Sequence, residues 1–176
     1  QIAIVDGDGI VRVYERAPDA ADFSETVVGN DATTDKTSGG VSLVARGNIR
    51  SALVYTRRGV AADDLGTCRF SEQSGPGTWS APETVFSGLA SGTAPVLVNT
   101  PQGVPGSSGV KRVIVAHDQE NEIVHRSTYF VSPIIGGSWS ESEEIGPAEI
   151  ATRPDAAYAN GRVGVTWSGF QDGIFY

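Results

Sequence analysis

Residues 78–85 read Thr78-Trp79-Ser80-Ala81-Pro82-Glu83-Thr84-Val85, and residues 138–145 read Ser138-Trp139-Ser140-Glu141-Ser142-Glu143-Glu144-Ile145. Both place Thr or Ser before Trp-Ser, then a short spacer, an acidic residue and a β-branched end. A shorter version, Phe23-Ser24-Glu25-Thr26-Val27-Val28, stands upstream. The aromatic anchors are 56 and 60 residues apart. Self-similarity at a fixed period of this size is the mark of a repeat architecture, in which each unit is one supersecondary motif.

Working outward from each anchor, the rest of the unit also recurs. Downstream comes a small apolar run: Val41-Ser42-Leu43-Val44, then Pro95-Val96-Leu97-Val98, then Pro154-Asp155-Ala156-Ala157-Tyr158. A strand opened by a basic residue follows, at Arg50 to Tyr55, Arg112 to His117 and Arg162 to Trp167. After a polar turn comes another short strand, at Thr67 to Phe70, Ile123 to Ser127 and Gly173 to Tyr176. The N-terminus joins partway: Ile2 to Val5 matches the basic-led strand, Asp6-Gly7-Asp8-Gly9 the turn, and Ile10 to Tyr14 the next strand.

Each unit therefore has four strand types: A (Val41), B (Arg50), C (Thr67) and D (Trp79). The chain reads BCD, ABCD, ABCD, ABC. No long stretch repeats apolar residues at helical spacing, so the fold class is all-β. Antiparallel units of four strands at this period are the signature of β-propeller blades. The expected arrangement is one propeller region over 1–176, with a partial blade at 1–28, blades at 41–85 and 94–145, and a partial blade at 154–176.

Composition narrows the function. The net charge is −8, which argues against non-specific nucleic-acid binding and against docking on an anionic membrane. No apolar run approaches the roughly 18 residues of a membrane span. Cys68 is the sole cysteine; it excludes an intramolecular disulfide and reads as a small buried strand residue. The chain begins at Gln1 and contains no Met, which fits a processed or trimmed product; a mature secreted chain is the expectation, and a cut piece of a longer chain would read the same.

The segment Ser71-Glu72-Gln73-Ser74-Gly75-Pro76-Gly77-Thr78-Trp79 resembles the Asp-box of sialidases and related propellers, a Ser-x-Asp-x-Gly-x-Thr-Trp hairpin with Trp beneath its turn. Ser71, Gly75, Thr78 and Trp79 match. Gln73 stands in the Asp position, and one extra residue precedes Thr78. A second copy at Gly136-Gly137-Ser138-Trp139 keeps the Gly and Trp end. The wider pattern is similar to bacterial and fungal propeller lectins. The resemblance implies a propeller and, through the lectins, sugar binding in clefts between blades or on their rims.

Candidate chemistry follows from equivalent positions. Five residues after each strand-B opener lie Tyr55, His117 and Trp167, with Asp6 as the N-terminal counterpart. A place held while its chemistry changes suits a rim or cleft, and these side chains combine a ring face with a polar edge. With Asp118 and Arg57 they form the expected ligand-binding set; core or inter-blade packing is the competing reading. Trp79 and Trp139 are expected to pack, and Glu83 and Glu143 to pair with Arg50, Arg112 or Arg162.

A catalytic apparatus is not legible. The sialidase Arg-Ile-Pro segment is missing, Arg153-Pro154 being the nearest string, and no arginine trio can be assigned. Two glycosidase carboxylates would have to lie about 5–10 Å apart, which Glu83 and Glu143 on outer strands do not suit. Asp6-Gly7-Asp8-Gly9 starts like a calcium loop but has Ala17 at the twelfth place, where such a loop needs Glu; it reads as a hairpin turn. With only His117 and His125, a histidine zinc site is not expected. No Gly-x-Ser-x-Gly elbow is present.

The expected function is non-covalent recognition of glycans or glycoproteins at several shallow sites, without cofactor or metal. The alternatives are a sialidase-like glycoside hydrolase or a fragment of one, and a protein-binding structural propeller. Three and a half blades do not close, since propellers close with four to eight. The open edges call for a second copy or the remainder of a longer chain.

Overall fold

The computed structural model describes residues 1–32, 40–46, 49–57, 66–89, 94–100, 110–117, 122–130, 139–147 and 152–168. The described chain is all-β. Its strands are β1 (Ile2–Val5), β2 (Val11–Glu15), β3 (Ser24–Gly29), β4 (Val41–Arg46), β5 (Ile49–Arg57), β6 (Gly66–Gly75), β7 (Thr78–Trp79), β8 (Glu83–Leu89), β9 (Val96–Thr100), β10 (Val110–His117), β11 (Glu122–Phe130), β12 (Glu143–Pro147), β13 (Thr152–Ala159) and β14 (Arg162–Ser168). No described helix is long and apolar enough to cross a membrane.

The strands form four antiparallel sheets along the chain. The first is β1-β2-β3, the second β4-β5-β6 with β7 and β8 both on β6, the third β9-β10-β11-β12, and the fourth β13-β14. Short polar turns make sequential pairing the natural outcome, because a hairpin closes the smallest loop. The β13–β14 turn is Asn160-Gly161, with both residues at positive φ, the pair a two-residue hairpin favours. Asp6 closes β1–β2: its Oδ1 accepts from the Asp8 and Ile10 amides, both at 3.0 Å.

The sheets stack face against face. Val11, Val13 and Val28 of the first pack with Leu53 and Tyr55 of the second. On the other side of the second sheet, Ala52, Val54, Cys68 and Phe70 pack with Leu97, Ile114 and Ala116 of the third. Val113 and Val115 then meet Ala156, Val163, Val165 and Trp167 of the fourth. Strand β5 is thus buried on both faces, which is why Ser51 to Thr56 form one buried run without polar alternation. Leading strands of successive sheets also adjoin: β1 lies against β4, β4 against β9, and β9 against β13. The Ser42 hydroxyl accepts the Leu97 amide across β4 and β9 at 3.1 Å.

Three expectations need correction. The strand drawn over 78–85 is two strands, β7 and β8, broken at Ser80-Ala81-Pro82, because Pro82 has no N–H for the ladder. Arg112 finds its carboxylate on Glu72, outside the expected set of Glu83 and Glu143. It is buried, and its Nη1 meets Glu72 Oε1 at 2.9 Å, while its guanidinium carbon lies 5.5 Å from the Phe70 ring centre. Glu83 instead accepts the Trp139 indole N–H at 3.1 Å. Finally, the basic-led strands are not aligned face for face. Leu53 faces the preceding sheet, whereas Val115, its equivalent by count, faces the following one. A one-residue slip in a period of two reverses every side chain.

Gly136-Gly137-Ser138 and the strand drawn over Gly173 to Tyr176 lie outside the described residues.

Candidate functional site

Tyr55 and Arg57 stand two apart on β5 and so share a face. Arg69 on β6 is the direct partner of Tyr55, and Thr84 on β8 is the partner of Arg69. Asp31 follows β3 and is held against this row by two backbone links beside it. Ala32 forms a bridge with Arg57, and its amide donates to the Gly9 carbonyl at 3.0 Å. Gly9 has φ 79°, and a Cβ there would lie 2.5 Å from the Ala32 carbonyl oxygen. Only glycine fits so close an approach in that conformation.

The Tyr55 hydroxyl donates to Asp31 Oδ1 at 2.7 Å. Arg57 Nε reaches Asp31 Oδ2 at 3.1 Å, and Arg69 Nε stands 3.9 Å from the same oxygen. Arg69 Nη1 donates to the Thr84 hydroxyl at 2.7 Å. Two guanidiniums therefore converge on one carboxylate, an excess of one positive charge among the described residues. The Arg57 side chain is 43% exposed and that of Asp31 31%, so the cluster has a solvent edge. Burial and the Asp31 carboxylate push the Tyr55 phenol upward in pKa, which keeps it a neutral donor.

The other expected residues are placed as follows. Tyr55 is fully buried; it packs in one core with Val11, Val13 and Val28 of the first sheet, and its hydroxyl carries its polar chemistry. Trp167 is half-buried against Val113 and Val115, on the other side of the third sheet. His117 ends β10, paired with Ile123 of β11. Asp118 lies outside the described residues. The structure joins Tyr55 with Arg57 and does not join them with Trp167. The sequence reading missed Asp31 and Arg69. Asp31 carries no periodic signal because it follows its strand. Arg69 was legible only as the neighbour of Cys68, whereas its role comes from lying opposite Tyr55.

The Ser71 to Trp79 hairpin sits at the same sheet junction. Glu15 of β2 accepts the Gln73 side-chain amide at 2.7 Å and the Gly77 backbone amide at 2.9 Å, and also the Gln1 side-chain amide. Burial raises the Glu15 pKa, but these three donors outweigh it and hold the carboxyl below its ordinary value. Gln73 thus pins the second sheet to the first. Ser71 donates to the Ser80 carbonyl at 2.8 Å, closing the hairpin base. Trp79 packs with the core between first and second sheets. Trp139 packs with the core between second and third, edge-on to Phe70 at 5.2 Å.

Among the described residues no three His, Cys, Asp or Glu side chains cluster in a way that could hold a metal ion. Comparison with protein-family models, with curated proteins and with solved structures finds no match.

Proposed function

We propose that this chain is an arc of a β-propeller, acting outside the cell, that recognises carbohydrate non-covalently. The reading rests on the Asp31–Tyr55–Arg57–Arg69 cluster. A partly exposed carboxylate flanked by guanidiniums offers fixed acceptors and donors side by side, which is what neighbouring sugar hydroxyls require. Charge-assisted hydrogen bonds of this kind are roughly twice as strong as neutral ones. The half-buried Trp167 is a separate stacking surface, so binding would occur at more than one weak site, with avidity supplying effective affinity. The propeller reading is supported by the sequential sheets, their face-to-face stacking and the adjoining leading strands.

A glycan array with the chain displayed multivalently tests the proposal. Binding of a defined glycan set, weakened at least tenfold by Arg57→Ala and by Trp167→Ala without loss of fold, is the expected result. Absence of binding to any sugar overturns it. Hydrolysis of a fluorogenic sialoside by the chain would replace it with the hydrolase reading.

A further inference from the structure

The first sheet has two faces, and the described residues pack against only one. Val11, Val13, Ala3 and Val5 turn toward the second sheet. The other face carries two rows across the strands, Ile2–Tyr14–Glu25 and Ile4–Arg12–Val27. Ile2 is 53% exposed, Ile4 39% and Val27 54%. The single cation in these rows is already neutralised: Arg12 pairs with Asp6 at 2.9 Å and with Glu25. A bulky, largely apolar sheet face whose one cation is held by two carboxylates, with one negative charge left over, resembles the faces that the chain buries elsewhere. The third sheet's covered face likewise holds Ile114 beside the paired Arg112.

The opposite end of the stack presents the converse shape. The outward pairs of the fourth sheet are Ala159–Arg162, Ala157–Gly164 and Asp155–Thr166, all exposed. A Cβ at Gly164 would come no nearer to any neighbour than 3.9 Å, from the Ala157 carbonyl oxygen. This face is flat and low at its centre, with Arg162 at one side.

We infer that the outer face of the first sheet docks, head to tail, on the outer face of the fourth sheet of a second copy of this chain. Every internal interface is of this heterologous kind: the face a sheet turns to its successor differs from the face it turns to its predecessor. The docked contact continues that relation, setting the Ile2, Ile4 and Val27 side chains over the Ala157–Gly164 floor and Arg162 near the acidic Glu25. Pairing two first sheets with each other would instead oppose bulk to bulk and bring Asp6 and Glu25 toward their own copies. Head-to-tail contacts form rings where the rotation closes. The inference does not depend on what the chain binds.

Sedimentation of the 176-residue chain over a range of concentrations tests it, with circular dichroism and thermal melting as folding controls. The parent chain should associate. Ile4→Glu on one face and Ala157→Arg on the other should each weaken association at least tenfold, and Val27→Lys repeats the first test at an independent exposed position. Mixing Ile4→Glu with Ala157→Arg should restore a one-to-one pair, because each supplies the face the other has lost. A parent chain that stays monomeric overturns the proposal, as does association unaffected by Ala157→Arg, or a mixture that forms no pair.

Discussion

At the residue scale, the most constrained side chain of the candidate site is Tyr55, whose ring serves the core while its hydroxyl serves Asp31. Tyr55→Phe keeps the packing and deletes a hydrogen bond to a carboxylate, an interaction typically worth about 1.5–3 kcal/mol. Asp31 is part-exposed and retains Arg57, so a loss of about 1–2 kcal/mol in urea denaturation is expected. Alkaline titration reads the same contact. Burial and Asp31 raise the Tyr55 pKa above its ordinary 10.0, and burial alone raises that of Cys68 above its ordinary 9.0. In both cases the folded state holds a proton that the unfolded chain releases first. The stabilisation is therefore complete below the ordinary value and declines as pH rises above it. The urea midpoint should begin to fall above pH 9.0 and more steeply above pH 10.0. Tyr55→Phe should shrink the second component, leaving the share of Tyr14, whose phenol Glu25 also holds above its ordinary value, and Cys68→Ala should remove the first; a pH profile identical in all three proteins would contradict the assignment.

At the scale of the element, two turn glycines separate strain from crowding. Gly9 and Gly161 have φ of 79° and 80°, so alanine at either incurs the left-handed penalty of roughly 1–2 kcal/mol. At Gly161 nothing lies within 4 Å of the new Cβ, whereas at Gly9 the Ala32 carbonyl stands in the way. Gly9→Ala should thus cost clearly more than Gly161→Ala, by a further 1–3 kcal/mol or so, and should also loosen Asp31. Equal losses in denaturant titrations would show that Ala32 yields freely. The strands themselves were legible because alternation and turn residues are local signals. The break between β7 and β8 was legible in principle from Pro82 but was overridden by the repeat alignment. What could not be read was which way each strand faces. Arg112 opens a strand as Arg50 and Arg162 do, yet it is turned inward onto Glu72, and only the neighbouring sheet decides that.

At the scale of the whole molecule, the sheet stack makes stability uneven, and the Glu72–Arg112 pair is its most demanding joint. Removing one member of a buried ion pair strands a charge and typically costs about 3–5 kcal/mol, while replacing both by apolar residues can be nearly neutral. Arg112→Met should therefore destabilise severely, and adding Glu72→Leu should restore much of the loss. The same stack sets the order of local opening. Strand β5 is sandwiched between the first and third sheets, and the Val113–Val115 run of β10 between the second and fourth. Strand β1 carries an open face with Ile2 and Ile4 exposed. The β13–β14 pair is exposed on its outer side. Amides open most rarely where burial is two-sided, so hydrogen exchange should be slowest in β5 and β10 and much faster in β1 and β14. Docking of a second copy would change one part of this order and leave the rest. Raising the concentration should slow exchange in β1 and β14 together, because a head-to-tail contact covers both ends at once, while β5 and β10 stay as they were. Protection gained by β1 alone would instead mark a contact between like faces.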